Sequence, residues 1–268
     1  MLLRILTALV LIPLVLLLVF QANSRVLLAA LGLLGTLCLY EYFALVRLMG
    51  LRPQPWLGYP AFWALLLLLE ADRLPAPALS AAAVAASLLA ALWPRGSMKE
   101  RAVGMMATFF GFAYLAFTLH TAVGVRFGFG GTRGLQWTVL LLAVVWSGDT
   151  AAMLGGKAFG RTPFSPQISP KKTNEGAAAG LLGGVLAALA LQKLFFDDLP
   201  LVHVLTAAVL VDVSGQLGDL AESLLKRAAG AKDSSNLVPG HGGVLDRVDS
   251  LLFAFPALYI YLHFLYAP

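Results

Sequence analysis

The sequence predicts an all-α protein, a polytopic transmembrane bundle of about nine helices with a cytoplasmic N-terminus and an external C-terminus. Three observations predict it. Of 268 residues, 59% are hydrophobic and 12% charged, with a mean hydropathy of +0.82, whereas soluble domains carry about 25% charged and 45–50% apolar residues. Apolar runs approaching the ~20 residues that a spanning helix needs recur along the whole chain. The basic residues between those runs divide unevenly between two sides.

The runs fall at roughly 2–20, 26–46, 56–71, 76–93, 103–124, 135–156, 176–196, 201–225 and 248–266. The first is longer than the apolar stretch of a signal peptide. Gln21-Ala22-Asn23-Ser24 is also a poor cleavage site, so this helix is expected to be retained. The third run is short and the fourth rich in alanine. With nine spans, Arg4, Arg47, Arg52, Arg95, Lys99, Arg101, Lys157, Arg161, Lys171, Lys172, Lys226, Arg227, Lys232 and Arg247 share one side. They are 14 of the 19 Lys and Arg, and the positive-inside rule makes that side cytoplasmic. Arg25, Arg73, Arg126, Arg133 and Lys193 fall on the other. The single cysteine, Cys38, excludes an internal disulfide and offers no Cys-based metal site.

The two parts of the chain differ. Residues 1–130 are helices with short connections. Residues 131–268 form the expected catalytic region, because they hold two long polar loops, 157–175 and 226–247, both on the cytoplasmic side. The seventh run carries Gly176, Gly180 and Gly184, a double GxxxG that suits either packing inside the chain or a homodimer.

The densest polar segment ends the eighth run. Asp219, Glu222, Ser223 and Lys226, spaced i, i+3, i+4 and i+7, share one helical face, and Asp212 lies seven residues earlier on it. Asp219 lies about two turns, or ~10 Å, below the Lys226-Arg227 pair. An acid at that depth is costly and marks a bundle interior or a watery cavity. Glu222 also suits an ordinary i,i+4 pair with Lys226. The next segment, Lys232-Asp233 through Pro239-Gly240-His241-Gly242-Gly243 to Asp246-Arg247 and Asp249, is a flexible run that lets backbone N–H groups approach a ligand. Capping of the ninth helix accounts for Asp246 or Asp249 singly, but not for both together with an Arg and a glycine loop. Asp219 and Asp246, with Asp249 as a third, are the expected metal ligands. Mg²⁺ is a hard cation held by one or two carboxylates, waters and substrate phosphates. The other loop, Ser169-Pro170-Lys171-Lys172-Thr173-Asn174-Glu175, is either an anion-binding cluster or a topology signal, and Thr173 and Asn174 also suit capping. Asp149, inside the sixth run, is an intramembrane acid. His120 and His203 are lone histidines in apolar runs and read as packing residues. No GxxxxGK[ST], HExxH, GxSxG or Cys/His zinc pattern occurs.

The thirteen identities Ser223, Lys226, Arg227, Lys232, Asp233, Pro239, Gly240, His241, Gly242, Gly243, Asp246, Arg247 and Asp249, within 27 positions, closely resemble the signature of phosphatidate cytidylyltransferases, the CDP-diacylglycerol synthases. Gly218-Asp219-Leu220, Ser169-Pro170-Lys171-Lys172-Thr173-x-Glu175-Gly176 and the stretch from Asp149 to Gly160 are similar to other parts of that family's pattern. Met153 and Asn174 stand where its members often carry Tyr and Trp, so no role carries over to these two. The resemblance implies transfer of the cytidylyl group of CTP to phosphatidate with release of pyrophosphate, using Mg²⁺ with room for a second cation, at a site facing the cytoplasm in the inner membrane. It implies catalytic roles for Asp219, Ser223, Lys226, Arg227, His241 and Asp246. Substrate contacts are implied for Asp149, Ser169, Lys171, Lys172, Thr173, Glu175, Lys232, Asp233, Gly240, Gly242, Gly243 and Arg247. The expected partners are CTP, phosphatidic acid and the bilayer, with no nucleic acid. A CTP-dependent lipid kinase differs by releasing CDP rather than pyrophosphate. A transporter requires a polar path to both sides, and here the polar groups gather near one face.

Overall fold

A computed structural model describes residues 2–71, 76–90, 92, 96–196, 198–238, 240 and 242–266. A helix lies in each of the nine apolar runs. The order is α1 (Leu2–Gln21), α2 (Ser24–Leu48), α3 (Pro55–Glu70), α4 (Ala76–Ala90), α5 (Met98–Phe127), α6 (Gly131–Phe159), strands β1 (Pro163–Ser165) and β2 (Ser169–Thr173), α7 (Asn174–Phe195), α8 (Leu201–Ala228), α9 (Leu245–Val248) and α10 (Leu251–Phe264). Five of these, α2, α5, α6, α7 and α8, are long and apolar enough to cross a membrane, and the chain is an all-α integral membrane protein.

Local chemistry fixes the element ends. Asn23 caps α2 by accepting from Val26 N at 3.0 Å, and Pro55 opens α3 at a position where no N–H is needed. Lys226 and Arg227 close α8 at the carbonyl end, where cations favour the helix dipole. A bilayer offers no water to polar groups. Accordingly, hydroxyls along the spans satisfy themselves on the carbonyl four residues earlier, as Thr36, Thr108, Thr138 and Thr150 do.

Two compact units divide the chain. One comprises Met1–Leu14, Asn23–His120 and Leu225–Arg247; the other comprises Val15–Ala22, Thr121–Leu224 and Val248–Pro268. In the first, small residues let helices approach closely. A side chain at Gly32 would meet the Trp63 ring, one at Gly35 Phe62, and one at Gly111 Tyr42. Tyr42 Oη donates to Ala107 O at 2.9 Å. In the second, Trp137, Leu140, Leu141, Val144, Ala207, Val211 and Leu258 build the core. There Gly180 lies against Ala152, Gly184 against Val144 and Gly176 against Gly156, all on α6, so the glycine stripe of α7 packs within the chain.

Two segments differ from the sequence expectation. Residues 157–175 are not a free loop. Helix α6 continues to Phe159, and β1 and β2 pair antiparallel, with Pro163 opposite Thr173 and Ser165 opposite Ser169. The ninth run holds the single helix α10, but the start expected at Asp246 is the separate turn α9, broken from α10 at Asp249 and Ser250. At the break, the Asp249 side chain accepts from the adjacent Ser250 N at 2.7 Å, a local bond that competes with the helical ladder.

Candidate active site

In the second unit, Asp219 and Glu222 project from the same face of α8. A ligand atom from each lies within 4.8 Å of one from Asp249 in the α9–α10 turn. Glycine makes this approach possible, because a Cβ at Gly218 would stand 2.6 Å from Asp249 O and 3.0 Å from Phe253 Cβ. Ser223 Oγ donates to Asp219 Oδ1 at 3.4 Å. Lys172 Nζ sits 2.6 Å from Asp219 Oδ2, both side chains about one-third exposed. Successive strand residues point to opposite faces, so β2 turns Lys172 toward Asp219 while Lys171 is exposed. The hairpin is anchored at its base. Glu175 accepts from Arg161 N at 3.0 Å and Thr162 N at 3.2 Å, and Thr173 Oγ1 caps α7 by accepting from Gly176 N at 3.1 Å. Ser169 starts β2, and Asp149 lies on an exposed face of α6.

Two half-buried carboxylates, Asp219 and Asp249, and the buried one of Glu222 form an all-oxygen donor set. That is the chemistry a hard divalent cation prefers, and the Lys172 ammonium already supplies one positive charge there. Sequence reasoning had grouped Asp219 with Asp246 and Asp249; Glu222, only 4% exposed, is the third acid of this group.

In the first unit, residues 231–247 carry the glycine loop. Asp246, 9% exposed, is surrounded by donors. Lys226 Nζ lies 2.5 Å from Oδ1, while Ser234 N (2.9 Å), Ser234 Oγ (2.9 Å) and Gly243 N (2.7 Å) meet Oδ2. Burial pushes the Asp246 carboxyl up, but the bonds from Lys226, Gly243 and Ser234 and the lysine charge outweigh it and hold the carboxyl below its ordinary value. Arg227 donates to Ala231 O at 3.1 Å. Lys232, Asp233, Asn236, Val238, Gly240, Gly242 and Arg247 line a polar cavity of about 490 Å³. Its two cations and backbone turns suit an anionic group. Gly240 and Gly242 have φ of 76° and 83°, values that glycine adopts without strain. His241 lies outside the described residues, as do Arg73, Arg95 and Pro268.

One residue at this loop was missed by sequence reasoning. Glu41 of α2 is 0% exposed and its carboxylate accepts from Ser234 Oγ, Ser235 Oγ, Val244 N and Leu245 N. The only signal was an acid inside an apolar span, at Tyr40-Glu41-Tyr42.

The sequence profile of the cytidylyltransferase family matches residues 2–265. The chain is 43% identical over 129 residues to the phosphatidate cytidylyltransferase of Bacillus subtilis, covering 48% of each chain. It is 51% identical over 124 residues to the chloroplastic phosphatidate cytidylyltransferase 5 of Arabidopsis thaliana, covering 44% of this chain and 31% of that one. Identity to the phosphatidate cytidylyltransferase of Staphylococcus epidermidis is 38% over 158 residues, covering 57% and 61%. The alignments thus span about half the length of the curated relatives. On the profile's near-complete coverage, the chain belongs to the cytidylyltransferase family.

Proposed function

We propose that the protein transfers the cytidylyl group of CTP to phosphatidate, giving CDP-diacylglycerol and pyrophosphate. The observation that carries this reading is the group Asp219, Glu222 and Asp249 beside Lys172, in a membrane chain of this family. The lipid phosphate is already a nucleophile, so no strong base is needed. One of its oxygens bonds to the α-phosphorus of CTP, the bridging bond from that phosphorus toward the β-phosphate breaks, and pyrophosphate leaves with the electron pair. Bringing two polyanions together is the task, and positioning with charge neutralisation accomplishes it. Asp219, Glu222 and Asp249 would hold a divalent cation such as Mg²⁺, which would supply neutralisation of the triphosphate and of the leaving group. Lys172 contributes charge at Asp219. Lys232 and Arg247 bind phosphate oxygens in the glycine-loop cavity. Asp246 holds that loop and Lys226 in place. Nine spans belong to this reading, and the positive-inside bias supports a site facing the cytoplasm at the inner membrane.

The test is purified protein with labelled CTP and phosphatidate, following lipid product and pyrophosphate together. Equal yields of CDP-lipid and pyrophosphate are expected. CDP release with a phosphorylated lipid overturns the reading in favour of a kinase.

A further inference from the structure

Glu41 lies about two turns before the C-terminal end of α2, a helix long enough to span, and is fully shielded from solvent; a buried carboxylate is expensive unless its lone pairs are met. Four donors meet them, and their sequence positions are informative. Ser234 Oγ at 3.0 Å and Ser235 Oγ at 2.5 Å come from the start of the glycine loop, whereas Val244 N at 2.8 Å and Leu245 N at 2.6 Å come from its end. One carboxylate, nearly 200 residues away in sequence, thus ties together the two ends of a segment of about ten residues. Gly243 fits the same arrangement, because a Cβ there would stand 2.7 Å from both Glu41 carboxylate oxygens and would collide with Ser234 Oγ. The Ser234 hydroxyl has one proton to share between Glu41 Oε2 at 3.0 Å and Asp246 Oδ2 at 2.9 Å, and so joins this clamp to the Lys226–Asp246 pair. Glu41 itself does not line the cavity of Lys232 and Arg247; it touches the residues that shape it.

We infer that Glu41 is a positioning residue: it clamps residues 234–245 in the shape that presents Lys232 and Arg247 to the phosphates of the nucleotide. The inference rests on the cytidylyl-transfer reading for its kinetic consequence, but not for its structural one. Glu41→Gln keeps the size of the side chain and replaces one accepting oxygen with a donor that faces the loop's own N–H and hydroxyl donors. Ser235→Ala removes one of the four bonds, and with it the bond that Ser235 Oγ accepts from Leu237 N at 3.0 Å, without altering a span; the exchange that reports on Glu41 is therefore read at Val244 and Leu245.

Two measurements on the full-length protein in detergent test it. Amide exchange at Val244 and Leu245 should quicken by about tenfold in Glu41→Gln and less in Ser235→Ala, since each loses anchoring bonds. The KM for CTP should rise about tenfold in Glu41→Gln, with kcat within about threefold of wild type and the Mg²⁺ midpoint unchanged. Unchanged exchange, or a fall in Tm with neither KM nor exchange altered, overturns the positioning role. If Glu41→Gln does not fold, Ser235→Ala decides by the same exchange criterion. An inactive wild type overturns the functional reading instead, and exchange alone then decides the role of Glu41.

Discussion

At the scale of single residues, the acid group makes the sharpest prediction. If Asp219, Glu222 and Asp249 hold one cation, Asp219→Asn, Glu222→Gln and Asp249→Asn each remove a charged ligand and should each lower turnover by about a hundredfold or more. Because the three serve one site, a double variant should be little worse than a single one. Turnover against Mg²⁺ concentration checks this: losses that multiply, or a normal Mg²⁺ midpoint in the singles, reject a shared site. Gly218→Ala tests the same geometry from behind. Its methyl would push on Asp249 O and the Phe253 side chain, so activity should fall while the acids themselves remain. Asp219 and Asp249 were legible in the sequence because each stood within a dense polar motif. Glu222 was less so, since its i,i+4 spacing to Lys226 offered an ordinary explanation. Glu41 was illegible as a loop anchor, because its partners lie more than 190 residues away and no local pattern points to them.

At the scale of elements, the β1–β2 hairpin and the glycine loop behave differently under substitution. Strand alternation separates two adjacent lysines, so Lys172→Ala should disturb activity and Mg²⁺ dependence more than Lys171→Ala. Equal effects would argue that β2 does not orient them. The hairpin escaped the sequence reading because Ser-Pro-Lys-Lys-Thr has no apolar alternation to announce a strand. Side-chain bonds from Glu175 and Thr173 to the flanking backbone hold it instead. For the glycine loop, the Asp246 carboxyl lies below its ordinary value of about 3.9. A depressed carboxyl contributes stability that is present above its unfolded value and lost as pH falls through the folded one. The loop should therefore hold from pH 8 down to about 5 and loosen only below about 4. Asp246→Asn should remove that acid-side slope. It should also lower stability at neutral pH, because the buried Lys226 ammonium loses the Asp246 charge beside it. Thermal unfolding of both proteins across pH checks both points.

At the scale of the whole molecule, the question is which helices cross. Helix positions were legible almost throughout, because apolar periodicity is a strong local signal. The number of crossings is a property of length against bilayer thickness. Helices α3, α4 and α10 have 16, 15 and 14 residues, short of the 17–25 usual for a span. Set against nine crossings is a scheme that uses only the five helices α2, α5, α6, α7 and α8, and so leaves out the 20-residue α1 as well as the short three. In the five-span scheme the basic residues again divide 14 to 5. The fourteen become Arg47, Arg52, Arg73, Arg95, Lys99, Arg101, Lys157, Arg161, Lys171, Lys172, Lys226, Arg227, Lys232 and Arg247. Only Arg4 and Arg73 trade sides between schemes. By the positive-inside rule both therefore put residues 160–173 and 229–244 in the cytoplasm, so the side of the proposed site does not depend on the count. What does depend on it is the termini. Nine crossings put the N-terminus inside and the C-terminus outside; five put the N-terminus outside and leave the C-terminus inside with the glycine loop. The proposal expects nine, since α10 is apolar along its length and carries no Lys, Arg, Asp or Glu. A reporter fused after Pro268 that works only outside the cytoplasm should be active. A second one inserted after Gly230, in the turn closing α8, should be silent. Both silent would leave α10 on the cytoplasmic side and sink the nine-span scheme. A working reporter after Gly230 would sink both schemes and the cytoplasmic assignment of the glycine loop with them.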